Sequence, residues 1–185
     1  MSVTTLTLRI DAPTGIVLPG RGFYQRDEEV LYVQAGEVSP HRSCFSYLEA
    51  ETVRFDLDRH GKLMGIEVAR PRRRWSVTKG LRIPRIAEPA DIRWLDFREE
   101  MLQPELLRNA AGDRLLLRFA VSESWRWYLL AENIHIQVDP DNRLTAVLIS
   151  DIVEDFAGRN ISRYRKKLGL LHAREIEAVS HPVAN

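Results

Sequence analysis

Apolar and polar residues alternate along much of the chain, and the alternation recurs in two places. Val53, Phe55 and Leu57 alternate with Arg54 and Asp56, and Ile134, Ile136 and Val138 alternate with His135 and Gln137. A period of two is what a half-buried strand requires. Each run ends in a turn-forming tetrad, Asp58-Arg59-His60-Gly61 or Asp139-Pro140-Asp141-Asn142. Asp in the first position accepts hydrogen bonds from the turn backbone, Pro140 presets the dihedral of the second, and Gly61 and Asn142 tolerate a left-handed fourth. Two hairpins are expected. After each turn, Leu63 to Val68 and Leu144 to Ile149 carry apolar residues at both parities, which predicts strands covered on two sides.

The two hairpins are 81 positions apart. At that offset Tyr47 to Pro71 lies on Tyr128 to Ile152 without a gap, and 6 of 25 pairs are identical: Tyr47/Tyr128, Leu48/Leu129, Ala50/Ala131, Glu51/Glu132, Asp58/Asp139 and Leu63/Leu144. Six more keep their chemistry, among them Phe55/Ile136 and Lys62/Arg143. Self-similarity at a fixed offset points to a duplicated unit. Tyr47 and Tyr128, with Glu51 and Glu132, recur in both copies and suit a scaffold role.

Elsewhere, Thr4 to Ile10 alternates as a strand, the Gly- and Pro-punctuated segment 15–22 reads as a loop, and Gly22 to Gln34 reads as another hairpin. Asp91 to Phe97 followed by Asp113 to Val121 supplies the corresponding part of the second copy. Between them Arg98 to Asn109 has helical composition that Pro104 must start or break. Residues 70–85 join the halves, as a long linker or an ordered crossing strand. Near the end, Ile161, Tyr164, Leu168, Leu171 and Ile176 approximate a helical stripe, with most basic residues off it. The expected fold is α+β, mainly β: two tandem pseudo-repeated antiparallel β units at 1–75 and 76–152, a C-terminal helical segment at 153–185, and one compact domain overall.

Composition narrows the setting without naming a partner. Of 185 residues, 44% are hydrophobic, enough for a substantial core, and 27 basic against 26 acidic side chains leave a formal net charge of +1. Cys44 is the only cysteine, so no intramolecular disulfide can form; a reducing compartment and a buried thiol are expected. Thr residues and Arg9 interrupt the apolar run that a secretory signal needs. No stretch approaches the roughly 20 apolar residues of a membrane-spanning helix. A soluble, cytoplasmic protein with no membrane partner is expected.

Tyr24 to Val33, YQRDEEVLYV, and Val53 to Val68, VRFDLDRHGKLMGIEV, resemble the bacterial domain of unknown function family 2283. That family is similar in having a tyrosine-led hairpin with a Leu-Tyr pair, then a strand, an acidic-glycine turn and a closing Gly-Ile-Glu. Here those features would be Tyr24, Leu31 and Tyr32, then Asp56, Asp58, Gly61, Leu63, Gly65, Ile66 and Glu67. The resemblance covers about 50 residues after Gly20, with a diverged second copy at 91–152. That copy has Ala146-Val147-Leu148 in place of Gly65-Ile66-Glu67. The resemblance implies a small β-rich fold and no particular reaction.

Candidate chemistry is sparse. Glu28/Glu29 and Asp56/Asp58 fall at tips or on wet faces, where carboxylates keep ordinary acidity. The five histidines lack ligand spacing, Asp139, Asp141 and Asn142 lack the rest of a calcium loop, and no phosphate-cradling glycine loop or nucleophile elbow occurs. Neither a catalytic residue, a metal site nor a cofactor is therefore expected. The strongest charge signal is Arg70, Arg72, Arg73, Arg74, Lys79, Arg82 and Arg85, uninterrupted by acids, with Trp75 beside the triple arginine. It could bind phosphates while Trp75 stacks on a base, or it could pair with the acidic runs at Glu28/Glu29, Glu99/Glu100 and Asp151/Glu154/Asp155. Trp125 and Trp127 share one side of a strand, as core or, if exposed, as a binding hot spot or dimer seam. The leading expectation is a non-enzymatic protein-interaction module whose partner is another protein or a second copy of itself. The alternatives are a nucleic-acid or polyanion binder using the arginine run, and a small enzyme with a site between the halves.

Overall fold

The computed structural model describes residues 5–37, 39, 42–97 and 99–155. Among them the chain forms strands and a single 3-10 turn at Arg72–Arg74. In the first half these are β1 (Leu8–Asp11), β2 (Gly20–Gln25), β3 (Val30–Ala35), β4 (Ser46–Glu49), β5 (Val53–Leu57) and β6 (Leu63–Val68). The second contains β7 (Ser76–Val77), β8 (Glu88–Pro89), β9 (Asp91–Trp94), β10 (Glu99–Glu100), β11 (Glu105–Arg108) and β12 (Leu115–Arg118). It continues with β13 (Arg126–Ala131), β14 (Ile134–Val138), β15 (Leu144–Ile149) and β16 (Ile152–Glu154).

Two seven-stranded sheets result, ordered β10-β4-β5-β6-β3-β2-β16 and β7-β11-β12-β15-β14-β13-β8. Within each, five antiparallel strands make up the centre, and the outermost strands are two or three residues long and pair in parallel. Short edges leave little unpaired backbone for another chain to extend. The additions cross over: β7, which follows β6, joins β11, and β16, which follows β15, joins β2. Residues 70–85 therefore carry an ordered crossing strand. β1 and β9 form a separate antiparallel ribbon.

Both sheets turn their apolar parity inward onto one core. Leu31, Val33, Phe55 and Leu57 of the first sheet belong to the same buried cluster as Leu117, Ile134, Ile136 and Val147 of the second. Phe55 stands edge-on to Trp94 at 5.9 Å and to Phe119 at 6.0 Å, the geometry that aromatic quadrupoles favour. β15 lies mid-sheet and is buried along its whole length.

Turn chemistry is the same at the two hairpin tips. Asp58 Oδ1 accepts from the backbone N–H of His60 and Lys62 at 2.8 and 3.0 Å, and Asp139 Oδ1 from those of Asp141 and Arg143, both at 2.9 Å. Gly61 and Asn142 take φ of +76° and +58°. One residue before each turn the pairing slips, between Asp56/Leu57 and between Gln137/Val138.

The strands preceding them differ. Tyr47 pairs with Asp56 and faces outward, 36% exposed, whereas Tyr128 pairs with Ile136 and faces the core at 8%. A register shift between Leu129 and Ala131 separates the two arrangements, since a slip of one residue exchanges the faces of a strand. The two tyrosines therefore do not share a scaffold role.

Residues 99–100 and 105–108 are strands, correcting the helical reading of that stretch. β12 pairs with β11 and β15, not with Asp91 to Trp94, which pairs with β1. Val153 and Glu154 lie in β16, so strand extends past the expected start of the C-terminal helical segment. The stripe Ile161, Tyr164, Leu168, Leu171 and Ile176 lies outside the described residues. No helix of the described residues is long and apolar enough to cross a membrane.

Candidate binding surfaces

The arginine run is divided by its tertiary partners. Arg72 lays its guanidinium over the ring of Tyr24, 4.0 Å from the centroid, and pairs with Glu154 of β16. Its backbone N–H donates to the Tyr24 hydroxyl at 3.0 Å. Arg73 pairs with Glu29. Arg70 is half-buried and its carbonyl accepts the indole N–H of Trp75 at 2.9 Å; Arg74, Lys79 and Arg82 are exposed. Trp75 is 2% exposed and packs edge-on against Tyr24 at 5.7 Å. The expectation that Trp75 stacks on a base is corrected: its faces belong to the core, because the 3-10 turn folds the indole beneath the arginines.

The two remaining tryptophans sit at the start of β13. Trp125, just before the strand, is 55% exposed, and Trp127 is half-buried on the outer face with Leu129. Beside them a hollow of about 210 Å³ runs between Trp125 and the second hairpin turn, touching Asp139, Pro140 and Asn142. Arg126 Nη1 donates to the Tyr128 hydroxyl at 3.2 Å, which ties this corner together.

A larger cleft, of about 450 Å³, opens between the halves. Segment 13–18 forms one wall, the β5–β6 turn and Arg42 the floor, and β9 with Leu129 and Leu130 the other wall. Lys62 Nζ lies 3.0 Å from Asp91 Oδ1, and Arg93 Nη2 lies 3.3 Å from Asp91 Oδ2. Burial opposes ionisation of Asp91, but the hydrogen bonds and charges of Lys62 and Arg93 outweigh it and hold the carboxyl below its usual range. Asp58, expected on a wet face, is 5% exposed. Its Oδ1 caps the turn while Arg42 Nε stands 3.7 Å from Oδ2. Arg42 itself is fixed by donating to the carbonyls of Ala35 and Leu63, both at 2.7 Å. The cleft thus combines apolar walls with anchored, ion-paired groups. Sequence offered no pointer to this convergence, since Arg42, Lys62 and Asp91 come from three separate segments.

Cys44, expected to be buried, is half-buried. Burial, then the neighbouring charge of Asp56, pushes its thiol from 9.0 up to about 11. Its Sγ lies 3.6 Å from the Ser46 carbonyl and 3.8 Å from Asp56 Oδ1. A thiol held protonated is a poor nucleophile. Among the described residues no three His, Cys, Asp or Glu side chains are grouped to hold a metal ion.

No protein-family model and no curated protein matches this chain.

Proposed function

We propose that this chain is a non-enzymatic interaction module, built from two diverged copies of one five-stranded antiparallel unit, that binds a protein partner on the outer face of β13. The duplication is supported by the 81-residue offset, by the matching strand order β4-β5-β6-β3-β2 and β13-β14-β15-β12-β11, and by the repeated Asp-capped turns. The resemblance of the first copy to the uncharacterised family 2283 fits a scaffold without its own chemistry.

The observation that carries the binding reading is the register shift in β13. It aims Trp127 and Leu129 outward beside the exposed Trp125, where β4 of the first copy presents Tyr47 and Glu49 instead. Tryptophans at a rimmed surface are the side chains that most often dominate protein recognition. The arginine run supports a polyanion reading less well, because Arg72 and Arg73 are paired with carboxylates and Trp75 is buried.

Tagged wild type and Trp125→Ala are compared in pull-downs from the host lysate, with and without nuclease and at two salt concentrations. A protein that persists through nuclease and higher salt, and that Trp125→Ala loses by about tenfold or more, is expected. Capture of nucleic acid, or of proteins that nuclease removes, would overturn the reading in favour of Arg74, Lys79 and Arg82. Self-association unaffected by Trp125→Ala would also count against this face.

A further inference from the structure

β7 and β8 lie at opposite edges of the second sheet, so the strap between them, residues 78–87, carries the chain from one edge to the other. It is anchored at both ends and on the way: Val77 pairs with Arg108, the Leu81 carbonyl accepts from Arg114 Nη1 at 3.1 Å, and Glu88 pairs with Tyr128. From Leu81 onward burial repeats every three residues. Leu81, Pro84 and Ala87 are half-buried, while Arg82, Ile83, Arg85 and Ile86 are exposed. A period of three leaves an extended chain with one ridge against the protein and two ridges in solvent. Here one solvent ridge is basic and the other apolar, with Ile83 38% and Ile86 82% exposed.

Lys79, exposed, adds a third cation ahead of Arg82 and Arg85. Among the described residues the side chains of these three make no ion pair or hydrogen bond. Carboxylates nearer the triple arginine are already taken, Glu154 by Arg72 and Glu29 by Arg73. No acidic residue lies between Arg70 and Ala87, and the charge of Glu88, the first to follow, acts on Arg126. With its backbone pinned and Pro84 fixing one dihedral, the strap has little order left to lose when it is covered.

We infer that the strap docks an acidic, extended segment of a partner protein, its carboxylates on Lys79, Arg82 and Arg85 and its apolar side chains on Ile83 and Ile86. At about 3.1 Å per residue, Arg82 and Arg85 stand about 9 Å apart, the distance between every third side chain of an extended partner. DNA carries a phosphate about every 3.4 Å along each strand, far denser than these cations. With Trp75 buried, the strap also has no aromatic ring on which a base stacks. Anionic membranes recruit clusters of about four to eight basic residues, and the strap has three. Protein segments carry charged and apolar side chains together, as the paired ridges require. No covalent step is involved, and the inference rests on the strap alone, not on Trp125 or Trp127.

The probe is a labelled peptide of about five Pro-Glu-Leu repeats, which proline keeps extended, titrated with the intact chain and followed by fluorescence anisotropy. Saturable binding below about 1 mM is expected, and a Pro-Gln-Leu peptide of equal length is expected to bind about tenfold more weakly. Arg82→Gln combined with Arg85→Gln is expected to weaken the Pro-Glu-Leu peptide about tenfold, and Ile86→Ser severalfold. All three sites are exposed, so these variants keep the fold. No saturation at about 1 mM overturns the inference, as does equal binding of the Pro-Gln-Leu peptide or an affinity unchanged in the double variant or in Ile86→Ser. A single-stranded oligonucleotide of equal length that binds more tightly than the peptide would overturn the choice of a protein partner. Phosphatidylglycerol vesicles that retain the wild type and release the double variant would overturn it too.

Discussion

Leu8 and Trp94 face each other across the β1–β9 ribbon, and each donates its backbone N–H to the hairpin turn of the opposite half. Trp94 donates to the Gly61 carbonyl at 2.8 Å and Leu8 to the Asn142 carbonyl at 2.9 Å. The ribbon therefore clamps both turns, and the residues at those turns are constrained by distant backbone as well as by their own dihedrals.

Gly61 has φ of +76°, and a Cβ there would stand 2.3 Å from the Trp94 carbonyl oxygen. Gly61→Ala is expected to cost about 3–5 kcal/mol, combining left-handed strain with displacement of the ribbon. Gly80, at φ of +77° with nothing within 4 Å, isolates the strain alone, so Gly80→Ala is expected to cost only about 1–2 kcal/mol. Urea unfolding of the two variants measures the difference, and equal losses would show that the ribbon yields.

Trp75 links the arginine run to the core through Tyr24 and the Arg70 carbonyl. Trp75→Ala is expected to destabilise by about 3–5 kcal/mol, while Arg74→Ala, at an exposed neighbour, should stay within about 0.5 kcal/mol of wild type. Thermal unfolding distinguishes them. A Trp75→Ala variant as stable as wild type would contradict its place in the core.

The thiol of Cys44 reacts as its thiolate, so its raised value of about 11 predicts slow modification near neutral pH. The rate with a disulfide reagent should rise about tenfold per pH unit through pH 8 to 10 and lag well behind that of the urea-unfolded chain. Because the folded value lies above the unfolded one, this group's contribution to stability is full below about 9.0 and is lost as pH rises towards 11. A folded-state rate equal to the unfolded rate would remove the argument.

His135 titrates below its ordinary 6.5 because burial disfavours the imidazolium, with the charge of Asp151 opposing. The unfolded chain then binds the proton first, so stability is full above pH 6.5 and falls as pH drops through the lower folded value. His135→Gln is expected to flatten the profile just below pH 6.5, measured by urea midpoints at fixed salt. An unchanged slope would assign the acid sensitivity elsewhere, with Asp91 acting only at still lower pH.

The hairpins and their turns are written locally, because an Asp cap, a left-handed Gly or Asn and a period of two act within a few residues. Asp58 and Asp139 do in the structure what their positions in the tetrads require. Pairing of the arginine run with acidic residues was also legible as one of two readings, although its partners lie as far as 82 residues away. Facing and pairing arise instead from contacts between distant strands. Glu105-Leu106-Leu107-Arg108 has helical composition yet is a strand, because β12 on one side and β7 on the other satisfy its backbone. Tyr47 and Tyr128 align at the repeat offset yet face opposite ways, because a register shift near Leu130 depends on the neighbouring strand and leaves no local mark in the sequence. The exchanged edges, the burial of Trp75 and the convergence of Arg42, Lys62 and Asp91 share that cause. Each is set by contacts between distant segments, and a local pattern specifies an element's period without specifying its neighbours.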